Sequence, residues 1–284
     1  MNSLIQKVVD QLIHEIENGT GQWRKSWAST GGLPSNAVTK NNYNGMNVLF
    51  LWVSQMNKGY RSNEWATLKQ WHGAGHRIKE DQIRINTPII FYKTGMTEKD
   101  GEQKSYPIMR CSWLFNADQI EGYERPATRI VTPEERHMLA TDWFNQTGIK
   151  LTHGEPAFSP LSDTVSMPEQ GSFNTLDDYW TTTFHEAVHW TGHKSRLARE
   201  MKLLFEDREA YALEELVAEI GACFLDAHFG MGSETVDKDH GAYLRNWLQH
   251  MPDKRRAIYR ASTLASKAFQ FLTPIRTEEL AEAA

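Results

Sequence analysis

Cysteine is almost missing from this chain, with two residues, Cys111 and Cys223, in 284. So wide a separation gives neither a disulfide framework nor the paired spacing of a zinc knuckle, and each thiol is expected as a small core residue. Long apolar runs are missing too. No stretch approaches the roughly 20 residues that span a bilayer, so no membrane partner is expected. The opening Met1-Asn-Ser-Leu-Ile-Gln-Lys-Val-Val-Asp10 reads as an amphipathic helix start rather than a signal peptide, which points to a soluble, cytoplasmic protein. Internal repeats and low-complexity tracts are absent. The net charge of −5 also excludes the strong basic excess that by itself compels a nucleic-acid reading.

The residues that are present fall unevenly. Residues 1–130 hold 16 Lys/Arg against 12 Asp/Glu, whereas the remainder holds 15 against 24. Six of the ten tryptophans lie in that first part. Around Glu124-Arg-Pro-Ala-Thr-Arg-Ile-Val-Thr-Pro-Glu134 the periodicity lapses and prolines appear, as in a linker. Thr132 before Pro133-Glu134-Glu135 then reads as a helix start. Two domains are expected, at 1–125 and 136–284, joined by a linker at 126–135.

The most informative stretch is His185-Glu186-Ala187-Val188-His189. Residues four apart share one face of a helix, so both imidazoles reach a single metal ion, and the intervening glutamate can hold a metal-bound water as general base. Asn174 and Thr175 are N-cap types and Asp177 and Asp178 suit a first turn. Leu176, Trp180, Phe184, Ala187 and Val188 recur at amphipathic spacing, and Gly192 suits a left-handed helix end. A helix over about 175–191 follows. The alternative is a surface helix with two solvated histidines.

A catalytic zinc site takes three protein ligands and leaves a position for water. Tyr211 to Ala222 reads as helical and supplies carboxylates. Glu215 is favoured as third ligand, with Glu219 behind it supporting a histidine and Glu214 facing elsewhere. For any one of these acids taken alone, a solvated acidic face is the favoured reading. His193 is the rival ligand. Gly192 interrupts the helix before it, and the last histidine of the HExxHxxGxxH pattern is replaced here by Ser195. One Zn²⁺ is the expected cofactor, and Tyr211 is a candidate for steadying an oxyanion. Asp163-Thr-Val-Ser-Met-Pro168 alternates and stops at proline, as a short edge strand does, where an extended peptide could add itself. Helices near Tyr243 to Trp247 and Arg255 to Phe271 complete that domain's core.

In the first part, helices are expected over 2–17, from Asn47 to Met56 and from Ala66 to Trp71. A strand at Thr87 to Lys93 is expected to pair with Ser105 to Phe115 across a loop at 94–104. The result is a small α+β domain. Its aromatics, interleaved with Lys, Arg and Asn, suit single-stranded nucleic acid, where bases stack on rings and cations follow phosphates. Core packing is the competing use of the same rings.

Trp23-x-Lys25-x-Trp27, Leu33-Pro-Ser-Asn36, Tyr43-Asn-Gly-Met-Asn47, Gly59-Tyr-Arg-Ser-Asn-Glu-Trp65 and Leu114-Phe-Asn-Ala-Asp-Gln-Ile-Glu-Gly122 resemble the N-terminal domain of ArdC-type antirestriction proteins of conjugative plasmids. His185 to His193, Ser195-Arg-Leu197 and Tyr211 to Ala222 resemble the zincin-like metallopeptidase domain joined to it. The resemblance implies an α+β chain in which a small single-stranded-DNA-binding domain precedes a mostly helical zincin-like domain with a short edge-stranded sheet. It implies protection of an incoming plasmid strand from host restriction. The implied zinc ligands are His185, His189 and a glutamate of the second helix, with Glu186 as general base. Within the matching motifs, Trp23, Lys25, Trp27, Asn36, Tyr43, Asn47, Tyr60 and Trp65 are the candidates for DNA contact. Two other readings are a zinc protease whose first domain docks a protein substrate, and a DNA-coating protein with a non-catalytic metal.

Overall fold

The computed structural model describes residues 3–18, 32–99, 102–124, 131–202, 205–231 and 240–273. Two compact units emerge: Met1–Glu15 with Pro34–Ala127, and Ile16–Leu33 with Thr128–Ala284. Helix α1 covers Ser3–Asn18. No helix among the described residues is long and apolar enough to cross a membrane.

The first unit is built on four strands, β1 (Ser35–Asn36), β2 (Glu64–Thr67), β3 (Thr87–Lys99) and β4 (Glu102–Asn116), in the order β1-β2-β4-β3. Helix α2 (Met46–Lys58) ends at Gly59, whose φ of 68° is the left-handed turn a glycine tolerates. Pairing of Trp65 with Asn116 and of Ala66 with Phe115 alternates the side chains across the sheet. Trp65 and Leu114 pack with Leu51 and Ile89. Ala66 and Phe115 pack with Trp71, Ile78 and Ile120. The sheet therefore carries apolar packing on both faces.

Two expectations need correction here. Ala66 and Thr67 belong to β2, and the helix α3 (Leu68–Gly73) begins only after Thr67, whose side chain caps it in a reciprocal box with Gln70. Residues 94–99 and 102–104 are strand rather than loop, because β3 and β4 remain paired out to Lys99 and Glu102.

In the second unit, α4 (Pro133–Thr147) starts at a capping box, Thr132 Oγ1 accepting from the Glu135 N–H and the Glu135 carboxylate accepting from the Thr132 N–H. A three-stranded sheet follows, with β5 (Lys150–His153), β6 (Ala157–Ser159) and β7 (Thr164–Met167) in the order β5-β7-β6. The expected edge strand is thus the central one. β7 pairs in parallel with β5 and antiparallel with β6, a non-local arrangement that alternation alone does not reveal. The terminal strand beside the histidine helix is β6.

Helices α5 (Leu176–Thr191), α6 (Arg208–Phe229), α7 (His240–Gln249) and α8 (Lys254–Leu272) complete this unit. Thr175 caps α5. Asp177 to Thr191 are all buried, so α5 is a central helix rather than an amphipathic surface one. Buried polar groups on it find partners within the unit: Asp177 binds Arg136 and His137, and Thr181 donates to Asp226.

Candidate metal centre

Helix periodicity brings His185 and His189 to one side of α5, with their Nε2 atoms 3.1 Å apart. Glu215 on α6 lies across from them, its carboxylate oxygens 3.6 Å from His185 Nε2 and 3.7 Å from His189 Nε2. Two ligand atoms about 2.1 Å from a tetrahedral ion stand roughly 3.4 Å apart, and here one donor atom from each residue lies within 4.8 Å of the other two, a spacing that a metal ion could draw together. Among the described residues it is the one group of three His, Cys, Asp or Glu with the spacing to hold a metal ion.

The opposite ring nitrogens face other acids. His189 Nδ1 donates to Glu214 Oε1 at 3.1 Å. His185 Nδ1 faces Glu219 Oε1 at 3.3 Å, an ion-pair distance without hydrogen-bond alignment. Both arrangements leave Nε2 directed at the centre. Glu214 does not face elsewhere, contrary to expectation. It is buried and held by Arg199, which donates Nε to Oε2 at 2.9 Å and Nη2 to Oε1 at 2.7 Å.

Burial alone would depress the His189 pKa, but Glu214, Glu215 and Glu186 outweigh it and push the ring up to about 9. Burial would raise Glu215, yet its contacts with His185, His189 and Tyr211 hold it below the usual carboxylate range. The Tyr211 hydroxyl is pushed up to about 12 by burial and by Glu215, to which it is hydrogen-bonded. Glu186 is buried beside these groups, near enough for its charge to raise both His189 and Tyr211.

Two glycines make this convergence possible. A Cβ on Gly221 would lie 2.7 Å from Val188 Cγ2, so its absence lets α6 approach α5. Gly192 is right-handed (φ −73°), not the left-handed cap expected. Its requirement is steric, since a Cβ there would meet Arg199 Nη2 at 2.9 Å. His193, the rival ligand, turns to Ser195 Oγ at 2.7 Å and stays outside the donor group.

Comparison with known proteins places this architecture. Residues 2–127 match the model of the N-terminal domain of anti-restriction factor ArdC, and residues 139–264 match that of a zincin-like metallopeptidase. The metal-free crystal structure of the antirestriction protein ArdC from plasmid R388 is 35% identical, superposes with a TM-score of 0.76, and is matched over 99% of this chain and 98% of that one. The chain belongs to the ArdC antirestriction family. The Mn(II)-bound ArdC structure aligns with a TM-score of 0.74 at 36% identity, over 95% of this chain and 97% of that one. A DNA primase TraC of Escherichia coli is 29% identical over 98% of this chain, which spans only 28% of the primase's length. An uncharacterized protein of Sinorhizobium fredii is 29% identical, over 94% of this chain and 89% of its own length.

The ArdC-type N-terminal unit uses most of the candidate DNA-contacting residues for its own structure. Trp23, Lys25 and Trp27 lie outside the described residues. Trp65 is 0% exposed and cannot stack a base. Asn36 accepts from the N–H groups of Val38 and Thr39 and donates to the Tyr43 hydroxyl. Tyr43 in turn donates to the Trp65 carbonyl, and burial pushes its pKa up to about 12. Asn47 bonds both the N–H and the carbonyl of Ile90, pairing β3 as a further strand would. Tyr60 packs edge-on against Trp65 at 5.7 Å. Among the described residues of this unit, Trp113 on β4 is 42% exposed, and nothing in its sequence spacing singles it out.

Proposed function

We propose that this ArdC-family protein binds single-stranded DNA through its N-terminal unit, shields entering plasmid DNA from host restriction in the cytoplasm, and holds one Zn²⁺ in a hydrolytic, peptidase-type centre. The observation that carries the chemistry is the convergence of His185, His189 and Glu215 with Glu186 beside them. Divalent metal in the Mn(II)-bound ArdC relative supports it.

A bound Zn²⁺ supplies Lewis acidity and brings the pKa of a coordinated water toward neutrality. Glu186 accepts a proton from the attacking water and returns it to the leaving amine. Glu214 and Glu219 face the Nδ1 atoms of the two histidines and keep their Nε2 lone pairs inward. Tyr211, whose hydroxyl keeps its proton to about pH 12, is the donor for the carbonyl oxygen that gains charge. An extended peptide would add to β6, the terminal strand beside α5. For DNA, Trp113 offers a ring to stack on, and the exposed Lys69, Arg77 and Arg84 offer phosphate contacts.

Glu186→Gln tests the chemistry. Metal binding should persist while hydrolysis is lost, and undiminished hydrolysis would overturn the general-base role. Restriction protection in cells that survives this substitution would favour a coating protein with a non-catalytic metal. Anisotropy of a labelled single strand against the matching duplex, across a salt series, tests the DNA reading. Failure to bind either would favour a first unit that docks a protein substrate.

A further inference from the structure

Arg199 stands in the loop after the histidine helix, yet its side chain is only 4% exposed. All three nitrogens of its guanidinium donate hydrogen bonds. Besides the two bonds to Glu214, Nη1 donates to Thr191 Oγ1 at 2.7 Å and Nη2 to the Val188 carbonyl at 2.7 Å. Both last acceptors sit on the closing turn of α5, next to His189. The loop that delivers it is itself anchored. Arg196 donates Nε to the Trp190 carbonyl at 2.7 Å, lies 3.8 Å over the Trp190 ring and pairs with Asp163. Gly192 leaves the space through which Arg199 reaches inward.

The geometry points to Arg199 as a positioning residue for the metal centre, acting through Glu214 on His189. This inference rests on the metal reading proposed above. Glu214 Oε1 is shared between His189 Nδ1 and Arg199 Nη2. The guanidinium fork fixes the plane of that carboxylate and balances its buried charge, leaving the oxygen aligned to accept from Nδ1. Nε2 is then the nitrogen turned toward Glu215 and the one a metal ion would take. His185 Nδ1, by contrast, faces Glu219 Oε1 at 3.3 Å without hydrogen-bond alignment. Arg199 thus acts on the imidazole whose Nδ1 is hydrogen-bonded.

Zn²⁺ affinity, measured against a chromogenic chelator, tests this, together with the visible spectrum of the Co²⁺-loaded protein and the melting midpoint of the metal-free protein. Arg199→Gln and Glu214→Gln should each weaken Zn²⁺ by roughly ten- to a hundred-fold and alter the Co²⁺ bands, with Arg199→Lys between them and wild type. The double variant should bind Zn²⁺ no more weakly than Glu214→Gln alone, because Arg199 acts through that carboxylate. A lower melting midpoint with unchanged affinity and spectrum would make Arg199 merely structural and overturn the proposal, as would additive losses in the double variant. Should Arg199→Gln fail to fold, Arg199→Lys and Glu214→Gln make the same comparison. A wild-type protein that binds neither metal overturns the metal reading itself, which separates the two failures.

Discussion

At the scale of single residues, the centre depends on acids that raise His189 and on a glycine that admits them. With its pKa at about 9, His189 carries a proton near neutrality in the metal-free protein. That proton competes with metal for Nε2, so Zn²⁺ affinity should climb by nearly tenfold per pH unit and level off above about 9. Competition titrations across a pH series check this, and a flat profile would contradict it. The same shift stabilises the metal-free fold fully below the unfolded imidazole value of 6.5, and that contribution is lost as pH rises through about 9. Gly221 lies where even a methyl group would collide with Val188. Gly221→Ala should cost about 1–3 kcal/mol in chemical denaturation and weaken metal binding by moving Glu215 away from the histidines. Unchanged stability and affinity would show that the helices have room to spare.

At the scale of elements, α5 was legible where its signals are local. Thr175 as cap, the acidic first turn and the i, i+4 histidines all depend on near neighbours, and the observed helix runs from Leu176 to Thr191. Thr175→Ala should lower stability by about 1 kcal/mol, read as a shift in the melting midpoint, and no shift would mean the cap contributes nothing. What could not be read was what surrounds the helix. Burial on every side comes from α4, α6, α8 and the sheet, none of which is encoded in the period of α5 itself. The central position of β7 was missed for the same reason, since pairing partners are chosen at a distance. Glu214 was misjudged because its one-residue offset from Glu215 turns it about 100° around α6, and only the position of α5 decides whether that direction faces solvent or an imidazole. Arg199 carries no spacing signal at all, being a loop residue brought in by a turn. In the N-terminal unit, motif residues such as Trp65 and Asn47 are engaged in holding the fold together.

For the whole molecule, two units with separate chemistries should respond to separate ligands. Zn²⁺ at a hundred times its dissociation constant should stabilise the unit that holds it by about 2.7 kcal/mol, whereas a single-stranded oligonucleotide should protect the other. Hydrogen exchange resolved along the sequence distinguishes them. Zinc should slow exchange in α5 and α6, and DNA should slow it in β3 and β4. Protection of the same segments by both ligands would contradict the assignment of one chemistry to each unit.

The most direct test of the central claim is the zinc X-ray absorption spectrum of protein loaded with one equivalent of Zn²⁺. Two imidazoles from His185 and His189 and oxygen from Glu215 and water predict a nitrogen and oxygen shell at about 2.0–2.2 Å, depleted of a carboxylate by Glu215→Ala. Zinc that fails to bind, or a sulfur shell at about 2.3 Å drawn from Cys111 or Cys223, would contradict the account.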